Sequence, residues 1–182
     1  MATICVYCSS SEEIDPAYKA LAAAVGARLA ADGHALVSGG GRVSMMGAVA
    51  SAARAGGAHT VGVIPSQLVS AEVADAGADE LIVVQTMRER KQIMDDRSDA
   101  FIALPGGIGT LEELFEMWTS AWLGLHAKPV LVLDPDGFYA PLWAFLDGLC
   151  ERGFVRPGAL RTLHQVNSVD EAFTVLDALL AG

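Results

Sequence analysis

The chain has 182 residues, 52% of them hydrophobic, and a formal net charge of −10. That length suits one domain over residues 1–182 with a sizeable core and is short for two. The acidic balance argues against a nucleic-acid polymer as partner, though not against a mononucleotide, and no apolar run nears the ~20 residues of a membrane span.

Thr3-Ile4-Cys5-Val6-Tyr7 reads as the first strand, entered with no charged leader ahead of it, which predicts a cytoplasmic protein. Cys5 and Cys8 spell C-x-x-C, but residues three apart on a strand face opposite ways, which suits neither zinc nor dithiol chemistry. With Cys150 the thiols are three, against a disulfide framework. A helix from about Pro16 to Ala31 closes at Gly33, and Ala35-Leu36-Val37 is the second strand, followed by Gly39-Gly40-Gly41. Met45 to Ala55 reads as a helix ending at Gly56-Gly57, Thr60 to Ile64 as a strand stopped by Pro65, and Leu81 to Val84 as the fourth strand. Thr86 caps a helix through about Ser98. The apolar run Asp99 to Leu104 reads as a buried strand, a helix begins near Thr110, and Pro129 to Leu133 is the sixth strand. Two helices and a short last strand near Val166 finish the chain.

This alternation predicts an α/β, Rossmann-like, doubly wound parallel sheet of about seven strands with helices on both faces, where ligands bind beyond the carboxyl ends of the strands. Ser9-Ser10-Ser11, Gly39-Gly40-Gly41 and Gly106-Gly107-Ile108-Gly109 fall at such ends. No G-x-G-x-x-G opens the first unit, so dinucleotide redox chemistry is not expected.

The run Pro105 to Glu113 says most. Glycines and a helix start after a buried strand make an anion site, in which Gly106, Gly107, Gly109 and Thr110 would bind a phosphate. Thr110-Leu111-Glu112-Glu113 is equally a capping box, with Leu111, Leu114, Phe115 and Trp118 as the buried stripe. On the wheel Glu113 and Glu116 lie opposite that stripe and face solvent, a cleft or a partner. Carboxylates there would repel a phosphate, so something besides phosphate belongs beside them. Thr86-Met87-Arg88-Glu89 is a second capping box, which makes Glu89 structural. Arg90 projects between Ile93 and Met94 beside an apolar stripe and needs an anion; an ordinary pair with Asp96 or a snorkelling arginine would also satisfy it. Lys91 flanks the same stripe.

These residues resemble a known family. Pro105 to Glu113 matches the PGGxGTxxE motif of the LOG ("lonely guy") proteins, and Met87-Arg88-Glu89-Arg90-Lys91 looks like their M-x-E-R-K segment. Ser38 to Gly47 resembles their glycine-rich loop after the second strand, with Ser44 where a glycine is expected. The resemblance implies a phosphoribohydrolase that cleaves N6-prenylated AMP to free cytokinin base and ribose 5-phosphate, with Arg90 and Glu113 catalytic. It also implies that Lys91, Gly107, Ile108, Gly109, Thr110, Leu111, Glu112, Glu72 and Thr119 contact the nucleotide; Gly40 and Gly41 of the upstream loop are taken as further substrate-binding positions. A homodimer, or a higher oligomer of dimers, with active sites at the interface follows from the same likeness.

In such a reaction Glu113 supplies an anion near the sugar, and a helix N-terminus would hold it charged, as a weak base. No metal or other cofactor is expected, since no His, Cys or carboxylate cluster has ligand spacing, and Lys19, Lys91 and Lys128 sit in no pyridoxal-binding context. A purine-nucleotide nucleosidase acting on plain AMP or GMP, and a nucleotide or molybdopterin carrier without catalysis, are the alternatives. Met45, Met46, Met87, Met94, Trp118 and Trp122 could line an apolar base pocket or simply fill the core. Phe115, Trp118, Trp122 and Met94 exceed what one narrow stripe can cover and imply a second apolar surface.

Overall fold

The computed structural model describes residues 1–69 and 73–181. Its elements are β1 (Thr3–Tyr7), α1 (Pro16–Ala31), β2 (Ala35–Ser38), α2 (Ser44–Ala55), β3 (Thr60–Pro65), α3 (Ser66–Val69), β4 (Glu80–Val84), α4 (Met87–Asp96), β5 (Ala100–Ala103), α5 (Ile108–Trp122), β6 (Val130–Leu133), α6 (Ala140–Glu151), α7 (Pro157–Leu160), β7 (Leu163–Val166) and α8 (Val169–Leu180). The seven strands form one parallel sheet in the order β4-β3-β2-β1-β5-β6-β7. Chain order reverses between β1 and β5, so the crevice for a ligand opens above Tyr7 and its register partner Ala103.

Alternation along the central strands builds two cores. Ile4, Val6, Leu36, Ile102, Leu104, Leu131 and Leu133 face α1, α2 and α8, while Cys5, Tyr7, Val37, Phe101, Ala103, Val130 and Val132 face α4, α5 and α6. Runs apolar at every position are therefore what a sheet covered on both faces requires. Cys5 and Cys8 lie in different cores, as the strand period demands.

Local chemistry sets the helix starts. Asp15 accepts from the Ala17 N–H with Pro16 in the first turn of α1, and Thr86 and Glu89 form the reciprocal capping box of α4. Three expectations change. Helix α2 starts at Ser44 rather than Met45. The short α3 follows β3 directly. A further helix, α8, follows the last strand, capped by Ser168 on the Glu171 N–H and burying Ala172, Phe173 and Leu176 at helical spacing.

Asp134, 2% exposed, stands just past β6 and accepts from the Phe138 and Tyr139 N–H groups at 2.7 and 2.9 Å. The Tyr139 hydroxyl then donates to the Leu104 carbonyl at 2.8 Å, fixing the strand end that leads into Pro105-Gly106-Gly107. Replacing Asp134 by Ala strands one buried and one part-buried donor. We expect a loss of about 2 to 4 kcal/mol, read from urea denaturation midpoints; an unchanged midpoint would mean that solvent reaches those N–H groups.

Candidate active site

Loops after β1, β2 and β5 enclose a cleft of about 320 Å³ at the reversal point. Its wall takes Tyr7 to Ser11 from the first loop, Gly39 and Met46 from the second, and Gly107 to Thr110 from the third, with Leu68, Met87, Arg90, Met94, Glu112 and Glu113 around them. All three small-residue segments expected at strand ends therefore reach one place.

Helix α5 begins two residues earlier than Thr110. Its N-cap is Gly107, with no side-chain cap, and the capping box Thr110-Leu111-Glu112-Glu113 does not form. Thr110, 4% exposed, instead packs down on Gly106, where an added Cβ would stand 2.2 Å from the Thr110 Oγ1. A Cβ at Gly107 or Gly109 would meet nothing within 4 Å. The first turn of α5 thus presents bare N–H groups and the positive end of the helix dipole to open space.

Within α5 Glu113 is buried. Its Oε1 accepts from Arg90 Nη1 at 3.0 Å, with both side chains about 10% exposed. The arginine's Nε donates to the Val63 carbonyl at 3.0 Å. Asp96, its ordinary candidate partner, accepts from Gln92 instead. Room for the guanidinium comes from Gly39: a Cβ there would lie 1.9 Å from Arg90 Nη2. The expectation that the helix terminus holds Glu113 as a weak base is overturned. Burial raises its pKa above the ordinary carboxylate value, Arg90 pulls it back, and Glu112 adds to the rise. Burial also pushes the Cys8 thiol far up, so the cleft offers no thiolate at neutral pH.

Other expected residues separate. Lys91 lines a neighbouring cavity with Arg88, Gln92, Asp95 and Glu116 rather than the cleft. Its ammonium bonds Glu112, and Glu116 at 2.7 Å; burial works against its charge, but these carboxylates outweigh it and raise its pKa. Leu111 packs against the core, Gly41 sits under the Met46 side chain, and Gly40, at φ 71°, packs against β3. Gly39, not singled out in the sequence, is the residue of that triplet that reaches the cleft; its place directly after β2 was the available signal. Thr119 lines a separate groove of about 380 Å³ with Phe115, Trp118 and Trp122. Glu72 lies outside the described residues.

The apolar residues divide likewise. Met46, Met87 and Met94 line the cleft, whereas Met45 is fully buried and Trp118 is anchored by its Nε1–H to the Ala159 carbonyl. Met94 is 1% exposed and adds nothing to an outer surface, but Trp122, Leu123, Leu125 and Phe154 are exposed. Among the described residues no cluster of three His, Cys, Asp or Glu could hold a metal ion, and no helix is long and apolar enough to cross a membrane.

The family model described as "Possible lysine decarboxylase" matches residues 46–176. A Mycobacterium tuberculosis protein named cytokinin riboside 5′-monophosphate phosphoribohydrolase is 56% identical over 170 residues, covering 93% of this chain and 90% of that protein. An Arabidopsis thaliana protein of the same name, LOG7, is 42% identical over 174 residues, covering 96% and 80%. Among solved structures, the molybdenum cofactor binding protein of Rippkaea orientalis aligns with a TM-score of 0.76 at 23% identity, over 98% of this chain and 97% of that one. That likeness is one of fold. The matched model, the two relatives and the three motifs agree: the chain belongs to the LOG family of cytokinin riboside 5′-monophosphate phosphoribohydrolases.

Proposed function

We propose that the chain is a phosphoribohydrolase, a hydrolase that cleaves the N-glycosidic bond of a cytokinin riboside 5′-monophosphate into the free base and ribose 5-phosphate. The buried Arg90–Glu113 pair at the mouth of an uncapped helix carries this reading. A carrier has no use for a desolvated ion pair beside a phosphate cradle, whereas bond cleavage does. As the bond to the base breaks, positive charge grows at the ribose C1′ and negative charge on the departing purine. Glu113 supplies the anion for the first and orients the attacking water; its raised pKa makes it a better base than a glutamate at a solvated helix end. Arg90, held by Glu113 and Val63, is the fixed cation for phosphate, ribose or base. The N–H groups of Gly107, Ile108 and Gly109 and the Thr110 hydroxyl take the 5′-phosphate, and Met46, Met87 and Leu68 give an apolar edge suited to an N6-prenyl group.

The groove lined by Phe115, Trp118, Trp122 and Phe154, of which Trp122 and Phe154 are exposed, supports a homodimer, or an oligomer of dimers, in which Lys91 and Thr119 approach an active site at the interface. The protein acts in the cytoplasm, without a resident metal or organic cofactor.

Arg90→Ala or Glu113→Ala should lower base release by about 100-fold or more, with the fold intact by circular dichroism, while Glu112→Ala changes it far less. Near-native turnover in either of the first two would sink the assignment. Isopentenyladenosine monophosphate should be cleaved with a higher kcat/KM than AMP; equal values would favour a general purine-nucleotide nucleosidase.

Because Glu113 must be ionised and its pKa is raised, kcat/KM should fall with decreasing pH at a pH above ~4.3, the ordinary glutamate value. Removing the charge that lowers it, in Arg90→Gln, should move that limb to still higher pH. An acid limb at the ordinary value would remove Glu113 from the base role.

Trp122→Glu should yield monomers by light scattering, with most activity lost. A fully active monomer at assay concentration would separate the groove from function.

A further inference from the structure

We infer that Ser44 is a positioning residue: with Glu12 it latches the Ser9–Ser11 loop to the first turn of α2 and so holds one wall of the substrate cleft. Ser44 adopts φ 51°, the only positive φ among described residues other than glycine. A β-carbon disfavours that conformation, and such positions persist where neighbouring contacts hold them. Here both hydrogen-bond donors of Ser44 are committed to the segment Ser11–Glu12. Its N–H donates to Glu12 Oε1 at 2.6 Å, and its hydroxyl donates to the Ser11 carbonyl. Glu12 is held in turn by the Lys19 ammonium. Within the loop the Ser11 N–H donates to Ser9 Oγ at 3.1 Å, and the Glu13 N–H to Ser11 Oγ at 3.3 Å.

The consequence falls on the cleft, since Ser9, Ser10 and Ser11 line it beside Gly107 and Met46, and Met46 stands two residues beyond the kink. Ser44 itself lines neither this cleft nor the adjoining cavity of Ser9, Ser11, Met45 and Gly106. It acts through the loop. The α2 N-terminus, at the second glycine-rich segment, is meanwhile occupied by the chain's own Glu12 carboxylate. The two helix starts therefore divide the work: α5 is left open to an anion, and α2 is spent on holding the wall that faces it.

This inference rests on the nucleotide reading of the cleft. Ser44→Ala and Glu12→Ala should each raise KM for AMP and for isopentenyladenosine monophosphate by about five- to tenfold, with kcat within about twofold. Amide hydrogen exchange across residues 9–13 should quicken while that of Thr110 to Glu113 does not. Glu12→Gln keeps an acceptor for the Ser44 N–H and should restore most of the lost affinity. Ser44→Gly separates positioning from stability: it relieves the backbone and should raise Tm, yet KM stays high because the hydroxyl is gone. A KM that follows Tm through these variants, or a native KM in both Ser44→Ala and Glu12→Ala, overturns the latch while leaving the hydrolase standing. Absence of base release by the unmutated chain overturns the hydrolase reading, and the latch as a substrate-positioning device with it.

Discussion

Arg90 and Glu113 face each other across the end of the sheet, and much of the local architecture exists to let them do so. Taking two opposite charges out of water is costly, and their attraction offsets that only with good geometry and further hydrogen bonds. The Val63 carbonyl supplies one such bond, the missing side chain at Gly39 supplies the space, and the buried side of α5 supplies the carboxylate. The contributions come from strand β3, the loop after β2 and helix α5. The pair thus ties α4, which follows the edge strand β4, to α5, which follows the central β5.

Much of the fold was legible because both-face burial leaves continuous apolar runs and because glycine, proline and Thr-x-x-Glu signals punctuate them. The strands from Thr3 to Leu133 and the α4 capping box stand where pattern puts them. The Thr110 box was misleading for a physical reason. Thr-x-x-Glu is satisfied by any helix that begins at that threonine, but packing of Thr110 onto Gly106 carries the helix back to Gly107 and frees Glu113 for a tertiary partner. No local pattern contains Arg90's partner, because the two residues meet only through the sheet. The helix after the last strand had ordinary amphipathic spacing and was simply not read.

Ser44 gives the opposite lesson. The motif asks for glycine there, and the structure shows why, since the backbone takes φ 51°. This chain keeps the conformation with a serine whose extra hydroxyl finds a loop carbonyl. Two glycine-rich segments that look alike in sequence therefore end differently, one open and one filled by Glu12. Which is open depends on side chains far away along the chain.

The reversal point between β1 and β5 also sets an order of events in folding. Ile4 pairs with Ala100 and Tyr7 with Ala103, so this central seam closes over more than half of the chain, a contact of high sequence separation. During synthesis β1 must wait, its edge covered only by β2, until β5 leaves the ribosome. Arg90 and Glu113 sit on helices that follow strands on opposite sides of that seam, so the pair spans it and the cleft is assembled from segments that the seam brings together.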